Sequence, residues 1–440
     1  MEFAHKRVLI VGLGVSGAAA AHALASRGAA LVMADQRVDI VREKLPTGDL
    51  FLGEEDTAAL RGVDLVVPSP GVPPTSALIR GAVEARIPIF GELELAGRMV
   101  KAPIVAVTGT NGKSTVTTLL GEIFKTARWK TFVGGNLGIP LIEAANGDFE
   151  VMVVEVSSYQ LETIKQFKPH VALHLNLAAD HLDRYRNLEE YGAAKARIFM
   201  NQDSGDWAVM NRDDPHVWKL ASSVRSRLFS FGLKKTANTP AVWLDGDQLA
   251  YDDGGCQGAI DLTGFRLPGA HNSMNAAAAV AAALAMKVVP DVITKALHRF
   301  AGLPHRIELV REKDGVRYVD DSKGTNVGAV VEAIAAMDPP VVLIAGGVDK
   351  GGSYEPLCEP LSEKVKLAIV IGAAREKMRE ALQGATRVES VETLAEAVSI
   401  AAREARAGDT VLLSPACSSF DQFKNYAERG RIFQELVRAL

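Results

Sequence analysis

The chain has 440 residues, which at about 150 residues per domain is enough for roughly three domains with cores of their own. Its 48% hydrophobic and 23% charged residues are typical of a globular α/β protein and exclude a disordered or fibrous chain. Lys and Arg number 49 against 53 Asp and Glu, a net charge of −4, whereas a nucleic-acid-binding protein usually carries a basic excess. We therefore expect no nucleic-acid partner.

The positions of the cysteines and the lengths of the apolar runs indicate where in the cell the protein is located. Cys256, Cys358 and Cys417 lie far apart, which excludes a cysteine zinc site or a disulfide framework and fits a reducing environment. No apolar run reaches the 18 residues of a membrane helix, so no membrane insertion is expected. Residues 6–25 superficially resemble a secretory signal peptide, but they fit a strand, a glycine turn and a helix better. We expect a cytoplasmic protein.

In chain order, three segments repeat a strand-like apolar run, a glycine-bearing turn and a helical pattern, as parallel α/β sheets do. The first begins at residue 7 and the second at residue 104. The third begins near residue 302 and continues with apolar runs at 341–345, 367–371 and 411–413. Pro and Gly interrupt the pattern near 97–103 and 301–305. The sequence predicts three α/β domains in series, with boundaries at 1–98, 99–301 and 302–440.

The first run, at 7–11, leads into a glycine turn with Gly12, Gly14 and Gly17, and Asp35 follows eighteen residues later. This matches the dinucleotide fingerprint and would suit an NAD-dependent oxidoreductase. The same turn can also hold any phosphate at a helix N-terminus. A nucleotide-linked substrate is therefore an open alternative.

The second run leads into Val-Thr-Gly-Thr-Asn-Gly-Lys-Ser-Thr at 107–115. A strand followed by small residues and a helix N-terminus presents backbone N–H groups to phosphates; Lys113 would reach the terminal phosphates and Ser114 would bind Mg²⁺. The first glycine departs from the general GxxxxGK[ST] spacing. An ordinary turn with an exposed lysine is the alternative, and the Gly-Lys-Ser-Thr core favours a phosphate site.

Further polar residues follow apolar runs in the second segment. Glu155 ends the run at 151–154, about forty residues after the phosphate loop, and is a possible Mg²⁺ ligand. His181, in an acidic loop after the run at 171–175, lies where α/β sheets place ligands, although a solvated histidine is the alternative. Lys195, in the helical stretch 189–200, would by itself be a solvated lysine.

The third segment carries charges at 305–308 and 320–326, for which a salt-bridged surface turn is the alternative to a site. Residues 414–426 follow a strand, and their Ser-Ser pair would either cap a helix or bind a carboxylate. Cys417 is a less favoured nucleophile because no His is paired with it in a recognisable pattern.

Taken together these motifs resemble the Mur ligase family, which adds amino acids to the peptidoglycan precursor using ATP. The matching residues are 109–115, 155–160, 180–183, His271, Asn272, Asn275, His305, Arg306 and 321–323. Residues 12–17, 69–71 and 414–426 are most similar to the branch that adds D-glutamate, and the third segment lacks the Asp-Asn-Pro-Arg motif of the ligases that add a diamino acid.

The resemblance implies a Rossmann-like N-terminal domain that holds UDP, a central P-loop ATPase domain and a Rossmann-like C-terminal domain that brings the amino acid. It implies an ATP-dependent ligase that joins D-glutamate to UDP-N-acetylmuramoyl-L-alanine through an acyl phosphate, giving ADP and phosphate, and that acts as a monomer. A nucleotide switch without turnover, or a sister ligase for L-alanine or for glutamate on folate, are the alternatives.

The resemblance also implies a catalytic set: Lys113, Glu155, His181 and Lys195. ATP would meet Gly109, Thr110, Asn111, Gly112, Lys113, Ser114, Thr115, Asn275, Arg306 and Asp321. One Mg²⁺ would bind Ser114 and Glu155, and a second would bind His181 and a carbamylated Lys195.

For the other substrates the resemblance implies two further groups of residues. The UDP-substrate would meet Val15, Ser16, Asp35, Gln36, Arg37, Ser69 and Asn136. D-Glutamate would meet Lys323, Thr325, Lys350, Ser419, Phe420 and Tyr426.

Overall fold

A computed structural model describes residues 3–181, 184–236, 240–267 and 269–440. Within these residues the strands form three sheets, one for each of the segments predicted above, with helices packed on them. The predicted α/β class with three domains in series is therefore confirmed, whereas the exact boundaries at residues 98 and 301 stay predictions. In the described part of the chain no helix is long and apolar enough to cross a membrane.

The N-terminal sheet is parallel, with strand order β3-β2-β1-β4. Its strands are β1 (Arg7–Val11), β2 (Ala30–Asp35), β3 (Asp49–Leu52) and β4 (Leu65–Pro68). Its helices are α1 (Val15–Ala25), α2 (Ala77–Glu84) and α3 (Glu92–Met99), with 3₁₀ turns at Arg42–Lys44 and Thr57–Leu60. The apolar run of β1 is buried, as expected for a parallel strand with helices on both faces.

The middle sheet has the order β13-β12-β11-β10-β9-β8-β5-β7-β6 and is parallel from β6 to β11. Its strands are β5 (Ile104–Thr108), β6 (Thr131–Gly135), β7 (Val151–Glu155), β8 (Val171–His174), β9 (Trp207–Asn211), β10 (Arg227–Gly232), β11 (Ala241–Asp245), β12 (Gln248–Asp252) and β13 (Gln257–Asp261). The helices are α4 (Lys113–Thr126), α5 (Ser158–Glu162), α6 (Leu188–Ala196), α7 (Pro215–Trp218), α8 (Ala270–Ala285) and α9 (Pro290–Arg299), with 3₁₀ turns at Leu141–Asn146, Arg197–Phe199 and Lys219–Ser222.

The C-terminal sheet has the order β14-β15-β19-β16-β17-β18 and is parallel except for its first pair. Its strands are β14 (Glu308–Lys313), β15 (Val316–Asp320), β16 (Val341–Gly346), β17 (Val365–Ile371), β18 (Val388–Ser390) and β19 (Thr410–Leu413). Its helices are α10 (Val327–Ala335), α11 (Cys358–Lys364), α12 (Arg375–Leu382), α13 (Leu394–Glu404) and α14 (Tyr426–Ala439), with a 3₁₀ turn at Glu355–Leu357.

Helix α3 joins the first two sheets through buried carboxylates. Glu94 accepts hydrogen bonds from the backbone N–H groups of Lys165, Gln166 and Phe167 at 2.8 to 3.0 Å. Glu92 accepts one from the N–H of Ile142 at 2.7 Å, while its Oε2 has no hydrogen-bond partner among the described residues. Burial raises the pKa of Glu92 to about 7, despite the opposing effect of the Ile142 hydrogen bond.

We predict that Glu92 makes the protein less stable as the pH rises from about 4.5 to about 7. In this window the folded protein keeps a proton that the unfolded chain has lost, so folding becomes less favourable with rising pH. Glu92→Gln should remove this dependence and raise the free energy of unfolding at pH 8 by up to about 3 kcal/mol. Urea unfolding at several pH values measures it, with the exposed Glu84→Gln as control. An unchanged pH slope in Glu92→Gln would contradict the prediction.

Gly17, in the first turn of α1, packs tightly against Gly12 of the preceding glycine turn. A Cβ on Gly17 would lie 1.9 Å from the carbonyl oxygen of Gly12, whereas one on Gly14 would meet nothing within 4 Å. Gly17→Ala should therefore lower the free energy of unfolding by more than about 2 kcal/mol. Gly14→Ala, at the helix N-cap, should cost no more than about 1 kcal/mol. Urea unfolding compares the two, and equal losses would count against the packing argument.

Candidate active site

The phosphate loop links β5 to α4. Gly109 and Gly112 have φ values of +152° and +82°, which glycine adopts readily. A Cβ on Gly112 would also lie 2.2 Å from Oδ1 of Asn275. Helix α8, which carries Asn275, therefore packs closely against the loop. Because α4 begins at Lys113, without a side-chain cap, its first backbone N–H groups are available for an anion.

Two lysines converge on the carbonyl groups of this loop. Lys113 Nζ donates to the carbonyls of Gly109 at 2.9 Å and Thr110 at 2.7 Å, and Lys195 Nζ donates to that of Gly109 at 2.8 Å. Lys195 is 1% exposed, so the expectation of a solvated lysine from its helical context is wrong. Burial lowers the pKa of Lys113, and burial together with the Lys113 charge holds the pKa of Lys195 well below its usual value.

Glu155 lies beside the loop because β7 is the neighbour of β5, in a register that pairs Glu155 with Val107. Ser114 Oγ donates to its Oε2 at 2.6 Å, and Asn136 Nδ2 donates to its Oε1 at 2.7 Å. Glu155 is 3% exposed. A hydroxyl and a carboxylate oxygen side by side are the hard oxygen donors that Mg²⁺ prefers, so Ser114 and Glu155 fit the predicted metal site.

His181 has a defined partner. Its Nδ1 lies 2.9 Å from the hydroxyl oxygen of Tyr159, and its Nε2 lies 3.8 Å from Oδ2 of Asp180. Burial lowers the pKa of His181, and the Asp180 carboxylate opposes that shift in part. Asp183, which belongs to the same motif, lies outside the described residues.

A cleft of about 790 Å³, open solvent included, brings these residues together with the C-terminal domain. Its lining includes Thr110, Asn111, Gly112, Lys113, Ser114, Thr115, Asn136, Glu155, Asp180, His181, Arg306, Lys323, Thr325, Asn326, Lys350 and Tyr426. Several of these side chains are cationic, as an anionic ligand requires. An adjoining cleft of about 1070 Å³ is lined in part by Asn275, His271, Phe231, Met274 and Arg306.

The predicted residues of the C-terminal domain divide into two groups. Lys323 Nζ donates to the Tyr426 hydroxyl at 3.0 Å, and Lys350 Nζ donates to Thr325 Oγ1 at 3.4 Å, so these four face the cleft as pairs. Ser419 is 2% exposed and Phe420 is 73% exposed, and both lie outside the described lining of the cleft.

Asp321 lies beneath the cleft and does not belong to its described lining. It is completely buried, accepts a hydrogen bond from Ser414 Oγ at 2.7 Å and lies 3.8 Å from the guanidinium of Arg306. Burial raises the pKa of Asp321. In this structure Asp321 therefore contacts Arg306, which lines both clefts.

The N-terminal domain has a separate cleft of about 560 Å³ lined by Gly12, Asp35 and Gln36 among others. Asp35 accepts hydrogen bonds from the N–H of Leu13 at 2.6 Å and from Arg37 at 2.9 to 3.1 Å. Burial acts to raise its pKa, but these hydrogen bonds together hold the pKa of Asp35 below its usual value.

The remaining predicted residues of this domain surround the same glycine turn. Ser69 Oγ donates to the carbonyl of Gly12 at 2.7 Å. Val15 is 70% exposed and Ser16 is half-buried, both in the first turn of α1.

Asn176 is a loop-positioning residue that the sequence analysis missed. Its Oδ1 accepts hydrogen bonds from the N–H groups of Thr110 at 3.1 Å and Asn111 at 2.8 Å, and its Nδ2 donates to the carbonyl of Asn111 at 3.1 Å. Asn176 lies two residues after β8, the other neighbour of β5. The sequence signal that could have identified Asn176 is its position as a polar residue just after an apolar run.

Comparisons with known proteins agree with this layout. Family models described as "Mur ligase MurD-like, N-terminal domain", "Mur ligase middle domain" and "Mur ligase, glutamate ligase domain" match residues 6–91, 107–283 and 305–417. The chain is 46% identical over 450 residues to a UDP-N-acetylmuramoylalanine–D-glutamate ligase of Geotalea daltonii, covering 100% of this chain and 99% of that protein. A protein of the same name from Thermoanaerobacter pseudethanolicus is 44% identical over 454 residues, covering 100% of both.

Solved structures share the fold at lower identity. A pseudomurein peptide ligase type C from Methanothermus fervidus superimposes with a TM-score of 0.63 at 20% identity, covering 99% of this chain and 100% of that one. The UDP-N-acetylmuramate–alanine ligase of Thermotoga maritima gives a TM-score of 0.62 at 19% identity, with the same coverage. Because relatives at 44 to 46% identity span the whole chain and the family models match all three segments in order, this chain belongs to the Mur ligase family.

Proposed function

We propose that the protein is an ATP-dependent ligase that joins D-glutamate to UDP-N-acetylmuramoyl-L-alanine in peptidoglycan precursor synthesis. The observation that carries this proposal is the cleft in which the phosphate loop of the middle domain faces Lys323, Thr325 and Lys350 of the C-terminal domain. The relatives that bear the name of this activity are 44 to 46% identical over the full chain. An NAD-dependent reaction would leave the phosphate loop, Glu155 and His181 without a role.

In the proposed reaction the loop N–H groups and Lys113 bind the phosphates of ATP, while Asn275 and Arg306 contact the rest of the nucleotide in the adjoining cleft. Asp321 would act by holding Arg306. Ser114 and Glu155 would hold Mg²⁺, which supplies positive charge to the terminal phosphates when bound. Lys113 adds positive charge where negative charge builds up during phosphoryl transfer.

The chemistry proceeds in two steps. An oxygen of the L-alanyl carboxylate attacks the γ-phosphorus of ATP, the bond to the bridging oxygen breaks, and an acyl phosphate and ADP result. The amine of D-glutamate then attacks the acyl carbon, loses a proton and displaces inorganic phosphate, which leaves the amide. Because the carboxylate and the phosphate are both anions, Lys113 and Lys350 lower the repulsion between them.

Lys195 and His181 would hold a second Mg²⁺, as the resemblance implies. An amine ligand is unsuited to Mg²⁺, but a buried lysine with a depressed pKa is a nucleophile for CO₂. Addition of the neutral amine to CO₂ gives a carbamate and releases one proton. This supplies carboxylate-like oxygens at a position where Lys195 already contacts the phosphate loop.

The other substrates are proposed to bind at the two ends of the site. D-Glutamate would contact Lys323, Thr325, Lys350 and Tyr426, and contacts with Ser419 and Phe420 require a change in their loop. The UDP-substrate would contact the N-terminal cleft and Asn136 through the following residues: Val15, Ser16, Asp35, Gln36, Arg37 and Ser69. The proposed location is the cytoplasm, where ATP is available, and the proposed state is the monomer that the resemblance implies.

The direct test is phosphate release from ATP with UDP-N-acetylmuramoyl-L-alanine, in the presence or absence of D-glutamate. We expect release to require D-glutamate and not to occur with L-glutamate or L-alanine. Lys113→Ala should lower the rate at least about a thousandfold because it removes charge stabilisation in the transition state. Lys125→Ala, an exposed lysine on the same helix, is the matched control and should keep the wild-type rate.

The D-glutamate proposal would be contradicted if phosphate release required L-alanine. It would also be contradicted if a folded protein that binds ATP released no phosphate in this assay. Tests with the substrates of the sister ligases would then follow. ATP binding without turnover on any of them would favour a nucleotide switch.

Tyr159→Phe tests the orientation of His181. The ring would keep its contact with His181, and only the hydroxyl beside Nδ1 would be lost. We expect phosphate release to slow about tenfold, the size of one such hydrogen bond, and the free energy of unfolding to fall by no more than about 1.5 kcal/mol. Tyr185→Phe removes a hydroxyl that donates to Glu162 and should change the rate less than about twofold. Equal rates for Tyr159→Phe and the wild type would show that the hydroxyl is dispensable.

A further inference from the structure

Asn326 is the N-cap of α10. Its Oδ1 accepts a hydrogen bond from the backbone N–H of Ala329 at 2.8 Å. This is the usual role of asparagine at a helix start, and it uses only the oxygen of the side-chain amide.

The amide nitrogen of Asn326 reaches into the middle domain. Nδ2 donates to Oδ1 of Asn111 at 3.0 Å and to Oδ2 of Asp180 at 3.2 Å. A primary amide has two N–H groups, so both are used and the side chain is satisfied by three partners in two domains.

The two acceptors belong to functional elements. Asn111 lies in the phosphate loop, and Asn176 holds its N–H and its carbonyl. Asp180 precedes His181, accepts a hydrogen bond from the His181 N–H at 2.9 Å and lies 3.8 Å from Lys350 Nζ. On the other side, Asn326 directly follows Thr325, which bonds to Lys350.

We propose that Asn326 is a positioning residue that joins the C-terminal domain to the phosphate loop and to Asp180, and so holds Lys323, Thr325 and Lys350 over the phosphates. We call Asn326, Asn111 and Asp180 the interdomain clamp. Its effect on D-glutamate use rests on the proposed function, whereas its effect on domain arrangement does not.

Asparagine is the residue this position requires. Aspartate keeps the cap, because a carboxylate oxygen accepts the Ala329 N–H, but it places negative charge against Asp180 and donates nothing to Asn111. Serine also keeps the cap, yet its side chain is too short to reach both acceptors. The two substitutions therefore separate the cap from the clamp.

The first measurement is small-angle X-ray scattering of the full-length protein without added ligands. Asn326→Asp should increase the radius of gyration by about 1 Å or more over a compact value near about 22 Å. Asn187→Asp is the matched control, because Asn187 caps α6 through the N–H of Glu190 at 2.9 Å and lies outside the clamp. Its radius should equal that of the wild type. Asp180→Asn combined with Asn326→Asp exchanges donor and acceptor and should restore the compact value.

The second measurement is the KM for D-glutamate in the phosphate-release assay. Asn326→Asp should raise this KM about tenfold or more, because the competent arrangement is less populated. The affinity for a non-hydrolysable ATP analogue, measured by calorimetry, should fall by a smaller factor than the KM rises, since the middle domain supplies the phosphate loop and most of the lining of the nucleotide cleft, to which the C-terminal domain adds Arg306.

Wild-type radius and wild-type KM in a folded Asn326→Asp protein would overturn the proposal. If that variant unfolds at lower urea than Asn187→Asp, Asn326→Ser decides: expansion supports the clamp, and a wild-type radius overturns it. If the wild-type protein itself shows no D-glutamate-dependent release, the proposed function fails while the scattering comparison still tests the clamp.

Discussion

Lys113 and Lys195 both donate to the carbonyl of Gly109, and within the described residues neither has a carboxylate in ion-pair distance. Burial lowers the pKa of each, because an ammonium group loses water there without gaining an anion in contact. Such an arrangement is unfavourable within the protein alone. It becomes favourable for Lys113 when a polyphosphate binds beside it, and for Lys195 when carbamylation replaces the ammonium group. The loop geometry, the position of Glu155 and the approach of the C-terminal domain all place charged groups around these two lysines.

Strand order in the middle sheet brings the site residues of the middle domain together. Strand β5 lies between β7 and β8, so Glu155 and His174 end at the same sheet edge as the phosphate loop. Two residues past β8, Asn176 binds the loop backbone. The cations that complete the cleft come from the C-terminal domain: Lys323 and Lys350 follow β15 and β16, and Arg306 precedes β14. The site therefore depends both on the strand order of the middle sheet and on the packing of the C-terminal domain against the middle domain.

This division explains what could be predicted. The phosphate loop and the glycine turn before α1 are strand-turn-helix patterns, and Glu155 ends a strand, so local sequence was enough to find them. Lys195 was identified only by resemblance, because its burial depends on distant elements. Asn176, Asn326 and Tyr159 were given no role, since each acts on a residue far away in the chain or in the next loop. The burial of Asp321 and the exposure of Phe420 likewise follow from tertiary packing.

Lys350 links the clamp to the proposed chemistry. Its ammonium lies 3.8 Å from Asp180 and 3.4 Å from Thr325 Oγ1, so a carboxylate of D-glutamate would compete with Asp180 for the same cation. Asp180 itself is held by Asn326 and by the N–H of His181. Because the lysine side chain is long and Asp180 is fixed, Lys350 would be the group that moves. The bond from Asn326 to Asp180 would then keep the domains joined while Lys350 turns to the substrate.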